Sequence, residues 1–185
     1  PMKRLSLLVA GVLSASFAVA EPAHVHGQAS LSVAVDGDIL NIALESPLDN
    51  VLGFERAPRT EAERQRVRDA VAQLREGASM FVADSAAQCS LQSVELDSEA
   101  LAPELLGKPA AAKEAHAHGK EGHQHADMDV DYVFTCRQMS ALSGIEVGLF
   151  KAFPKMKRLS VQVAGKGGQS AQHLTPQAAR IVFKP

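Results

Sequence analysis

Two alternating runs meet at an Asp-Gly corner near the start of the chain, and they constrain the fold more than any other feature. Leu31, Val33 and Val35 alternate with polar or small residues, Asp36-Gly37-Asp38 follows, and Leu40, Ile42 and Leu44 alternate again. A period of two sends successive side chains to opposite faces of a strand, and Asp-Gly suits the positive-φ corner of a tight hairpin. The runs predict a hairpin with one buried face, ended by Ser46-Pro47-Leu48-Asp49-Asn50. Further strands are expected at Cys89–Leu96, with a phase slip between Leu91 and Val94 that predicts a bulge, and at Asp127–Cys136. The second of these sets Met128, Val130, Tyr132 and Phe134 on its core face. Ile145–Phe153 and Leu159–Ala164 read as strands, Lys166-Gly167-Gly168 as a turn before a run to Leu174, and Ile181–Phe183 as the strand that closes the sheet.

One segment has a different period. Thr60 and Glu63 have capping-box spacing, and Val67, Ala70, Val71 and Leu74 recur at i, i+3, i+4 and i+7, which is one face of an amphipathic helix. Gly77 is its expected stop. Strand-rich sequence around one helix gives an α+β domain with a largely antiparallel sheet, one main helix packed on it and a long His-rich loop. That loop is expected over 97–124, a stretch of 28 residues rich in Ala, Lys, Glu, Gly and His without periodicity or aromatic residues. Such a length exceeds an ordinary connection and marks a functional or flexible segment.

The first twenty residues stand apart. Lys3-Arg4, the apolar run Leu5 to Val12 and Ala18-Val19-Ala20 before Glu21 read as a Sec-type signal peptide over 1–20. Gly11, Ser14 and Ser16 break the run, and a membrane span needs ~20 predominantly apolar residues. The domain is then 21–185, not membrane-spanning after cleavage, with 17 basic against 21 acidic residues. This balance excludes a basic nucleic-acid-binding surface. Export also sets the expected state of the only two cysteines, Cys89 and Cys136. In an oxidising compartment such a pair is normally a disulfide, and neither lies in a C-x-x-C or beside a His.

Six of the seven histidines fall in two clusters. His24 and His26 form H-V-H, and His116, His118, His123 and His125 form H-A-H-G-K-E-G-H-Q-H. Imidazole ligates Zn2+, Cu2+ and Ni2+, and two H-x-H pairs supply the four ligands of a tetrahedral zinc ion. If the first strand starts early, with Val25 on its core side, His24 and His26 project together from the other face. The later strand puts His125, Asp127, Asp129 and Asp131 on its polar face. Were the two strands neighbours, His24, His26, His125 and Asp127 would share one site. Asp129 and Asp131 otherwise read as solvated, and the isolated His173 as structural or solvated. No H-E-x-x-H, G-x-S-x-G or phosphate-cradling glycine loop is present, so no enzyme is expected.

Five blocks together resemble a known family: H-V-H-G at 24–27, A-L-E-S-P-L-D-N at 43–50, G-F-E-R-A-P-R-T at 53–60, H-A-D-M-D-V-D-Y-V-F-T-C at 125–136 and L-F-K-A-F-P at 149–154. The chain resembles the ZrgA-like zinc-uptake proteins. The resemblance implies a periplasmic zinc-binding component that feeds an inner-membrane ABC transporter, with a His-rich loop of variable length. On this reading His24, His26, His125 and Asp127 match the fixed blocks, and His116, His118 and His123 the variable loop. The rival readings are an envelope protein that only buffers metal or serves as a structural partner, and a small zinc-dependent hydrolase.

Overall fold

A computed structural model of the chain describes residues 25–109 and 126–183. The hairpin forms from β1 (Gln28–Asp36) and β2 (Ile39–Pro47). Asp36 pairs with Ile39, which leaves Gly37 and Asp38 as a two-residue turn with Gly37 at φ 63°. After β2 come α1 (Leu48–Leu52), α2 (Glu61–Arg75), α3 (Gly77–Met80) and β3 (Phe81–Ala83). The second half adds β4 (Cys89–Asp97), β5 (Asp127–Cys136), β6 (Gly144–Val147) and α4 (Leu149–Ala152). It ends with β7 (Arg158–Gly165), β8 (Gly168–Leu174) and β9 (Arg180–Val182). The architecture is α+β, with mostly antiparallel sheets and few helices.

Six strands form one sheet in the order β4-β5-β2-β1-β7-β8, and β3-β6-β9 form a second. Within the larger sheet only β1 and β7 run parallel. Register explains burial. Leu96, Val130, Leu44, Leu31 and Val161 are partners across five strands, and all are buried. The bulge of β4 lies between Leu91 and Ser93, where the phase slips. Val67, Ala70, Val71 and Leu74 of α2 enter the same core. Burying a Val- or Leu-sized side chain contributes roughly 1.5–3 kcal/mol, so the core outweighs the surface ion pairs, worth ~0–1 kcal/mol each.

α2 begins where its capping box predicts. Thr60 Oγ1 accepts from the Glu63 backbone N–H at 3.1 Å, and Glu63 Oε2 accepts from the Thr60 N–H at 3.3 Å. The Arg56 guanidinium, and then the backbone N–H of Arg59, hold the Glu63 carboxyl down to about 2. Cys89 and Cys136 are register partners on β4 and β5 and form a disulfide.

Three expectations change. Ile145–Phe153 is not one strand, because Gly148 ends β6 and α4 follows. A Cβ on Gly148 would meet the Ser79 carbonyl oxygen at 2.6 Å, and its own N–H donates to Met80 O at 2.8 Å. The chain turns where this backbone contact requires it, and Leu149 and Phe150 stay buried in a helical turn. An apolar run alone does not separate these outcomes. Second, Ile181–Phe183 does not close the large sheet: β9 pairs with β6 in the smaller one. The Gln172 amide ties it back, donating to Val182 O at 2.7 Å and accepting from Val182 N at 3.0 Å. Third, the stretch 97–124 is partly built into the fold. Ser98, Leu101 and Leu106 are buried, and Arg75 Nη2 donates to Leu106 O at 2.7 Å. The expected signal peptide, His24 and the loop histidines His116, His118, His123 and His125 lie outside the described residues.

Candidate metal centre

One end of the larger sheet gathers segments that are far apart in sequence. β2 ends at Pro47, which pairs with Asp127 at the start of β5, and Leu48 N donates to Ala126 O at 2.8 Å. On the other side of β2, the buried Asn50 of α1 holds the chain that leads into β1. Its Oδ1 accepts from Gly27 N at 2.7 Å, while Nδ2 donates to Gln28 O at 2.7 Å and Ser46 Oγ at 3.2 Å. A buried amide left without these partners would cost ~1–3 kcal/mol, so Asn50 fixes this junction.

The junction corrects the expected phase of the first strand. β1 begins only at Gln28, and the chain before it turns, with Gly27 at φ 81° and Gln28 N donating to Val25 O at 3.0 Å. Val25 is 54% exposed and not in the core. Strand alternation therefore does not aim His26. The turn and the groups it meets do so. His26 Nδ1 stands 3.3 Å from Asp49 Oδ2 and 3.7 Å from Glu55 Oε1, and 68% of its side chain is exposed. Asp49 Oδ1 accepts from Lys155 Nζ at 2.8 Å. The Lys155 ammonium holds the Asp49 carboxyl below the usual carboxylate range, against some desolvation and with a smaller push from His26.

Asp127 keeps the alternation expected of it yet is buried, unlike Asp129 and Asp131. Ser98 Oγ donates to its carbonyl oxygen at 2.6 Å. β2 lies between β1 and β5, so the strands that begin after His26 and at Asp127 are not neighbours. Two strand spacings, roughly 10 Å, separate them. Further along the outer face, Asp97, Asp129 and Glu45 are register partners across β4, β5 and β2. Desolvation of the carboxyl, then the charges of Glu45, Asp127, Asp97 and Asp131, push Asp129 up to about 6. The same cross-strand row runs on through Ser30 and Ser160 to His173, which is exposed on β8.

Among the described residues, no group of three or more His, Cys, Asp or Glu is arranged to hold a metal ion. An imidazole nitrogen with carboxylate oxygens nearby still fits the donor preference of zinc. Asp49, Asn50, Glu55 and Lys155 were not read from the sequence as parts of a site. Their signal is weak there: nothing in spacing ties Asp49 to a lysine 106 residues away.

The fold and this end of the sheet define an α+β module that presents an imidazole, backed by carboxylates, on its surface. Residues 23–183 match the family described as ZrgA family zinc uptake protein, and the chain belongs to that family. Its role is accordingly in zinc uptake. No curated protein matches the chain. No helix among the described residues is long and apolar enough to cross a membrane.

Proposed function

We propose that the chain is a non-catalytic, periplasmic zinc-binding protein that captures Zn2+ and passes it to an inner-membrane ABC-type importer. His24, His26, His116, His118, His123, His125 and Asp127 are its ligand set. The loop histidines take up the ion in H-x-H pairs, the groups around His26 retain it, and ligand exchange releases it to the transporter. Cu2+ and Ni2+ suit the same ligands, and zinc is the cargo because the family is one of zinc uptake. The observation that carries the reading is the exposed His26 imidazole, held against carboxylates within a chain of this family.

Zinc calorimetry on the exported protein tests this reading. Affinity is expected to be higher at pH 7.5 than at pH 5.5, because a protonated imidazole cannot ligate. Equal affinities at the two pH values would count against histidine ligation. The joint substitution His24→Ala and His26→Ala is expected to lower affinity or stoichiometry. Deletion of 113–125 is expected to impair growth under zinc chelation, and normal growth would favour mere buffering.

A further inference from the structure

Two carboxylates address the same nitrogen of His26. Nδ1 lies 3.3 Å from Asp49 Oδ2 and 3.7 Å from Glu55 Oε1. An ionised carboxylate only accepts hydrogen bonds, so a hydrogen bond to Asp49, the nearer of the two, requires the proton on Nδ1. A neutral imidazole has one such proton, which leaves the lone pair on Nε2. With most of the side chain exposed, Nε2 is the nitrogen available to an arriving cation.

Neither partner drifts freely. Gly27, the next residue, is tied through its N–H to Asn50, and its carbonyl accepts from Lys157 N at 2.7 Å and Arg158 N at 3.0 Å. Asp49 is carried on α1 directly before Asn50, and Lys155 holds its other oxygen. The backbone on one side and the carboxylate on the other are thus both anchored.

We propose that Asp49 is a positioning residue that fixes His26 as the Nδ1–H tautomer and presents Nε2 to Zn2+, with Glu55 adding a second negative charge near that nitrogen. The inference rests on the reading above that His26 is a zinc ligand. An outer carboxylate on a ligating histidine fixes ring orientation and makes the other nitrogen a better donor, and its loss typically costs about 10–100-fold in metal affinity. Asp49 needs no direct contact with the ion for this.

Long-range 1H–15N spectra of the imidazoles in the full chain, with His26 assigned through His26→Ala, read the tautomer without any metal. Zinc calorimetry on the same proteins reads affinity. His26 is expected as Nδ1–H in the wild type, and zinc is expected to shift its Nε2 resonance. Asp49→Ala should abolish the tautomer preference and weaken zinc binding by about tenfold or more. Asp49→Asn keeps an oxygen that accepts from Nδ1–H and should restore part of both, which a merely structural defect would not show. An Nε2–H tautomer in the wild type would overturn the inference. So would wild-type affinity in Asp49→Ala where His26→Ala is weakened. If His26→Ala itself binds zinc like the wild type, the underlying assignment of His26 as a ligand fails first.

Discussion

Tyr132 shows how much a single side chain decides here. It lies on the core face of β5, fully buried, with its ring edge-on to Phe81 at a centroid distance of 4.9 Å. A Cβ on Gly77 would meet Tyr132 Cδ1 at 2.6 Å. Gly77 is the stop that the sequence predicts for α2. α2 does end just before it, at Arg75, and Gly77 is also the space that the tyrosine ring requires. A sequence shows a glycine but not what passes over it. The Tyr132 hydroxyl makes no hydrogen bond among the described residues, and burial pushes it well above the usual phenol range. A buried hydroxyl without a partner is a cost that phenylalanine removes at almost the same volume. Tyr132→Phe is therefore expected to stabilise the protein by about 1 kcal/mol, read as a higher urea midpoint at unchanged slope. Destabilisation would mean that the hydroxyl has a partner after all.

At the scale of elements, the legible ones carry their own period. The hairpin, the four buried positions of α2 and the core face of β5 follow from spacing alone. The break at Gly148 and the separate sheet of β9 are set by long-range contacts, with Ser79 and Met80 in one case and β6 in the other. No local pattern encodes those. The β4–β5 pair combines both kinds of information. Its strands alternate, but β4 is interrupted by a bulge and β5 begins only after a long excursion from Asp97. The Cys89–Cys136 disulfide closes a loop of 47 positions at the far end of this pair. In the chain-entropy account such a link contributes roughly 4 kcal/mol by restricting the unfolded chain. Replacing both cysteines by alanine is expected to lower stability by about 2–5 kcal/mol. Reductant should lower the melting temperature of the wild type and leave the double variant unmoved. A double variant as stable as the oxidised wild type would remove the disulfide from any account of stability.

Across the whole molecule, the sheet order decides what the histidine and carboxylate patterns mean. The sequence places polar residues on the outer faces of β1, β2, β4 and β5, but it does not say that β2 separates β1 from β5 or that Lys155 reaches Asp49. His26 was legible as a metal-binding candidate, whereas the carboxylates beside it, Asp49 and Glu55, and the lysine that holds Asp49 are brought to it only by folding. The same order turns Asp97, Asp129 and Glu45, unremarkable singly, into adjacent like charges. Asp129 titrates near 3.8 as an ordinary carboxyl and is pushed up to about 6 in the fold. The folded state thus holds a proton between those values that the unfolded chain has already lost. Its contribution to stability is full below about 3.8 and is lost as pH rises through about 6. Above that pH the row carries a charge that opposes folding. Asp129 is exposed, so solvent screens much of this repulsion, and the relief from Asp129→Asn is expected to be about 1 kcal/mol. Melting temperatures of metal-free protein from pH 4 to 8 should show the variant matching the wild type near pH 4 and exceeding it by a few degrees at pH 7.5. A variant no more stable than the wild type at pH 7.5 would overturn the account in which the charge of Asp129 opposes folding.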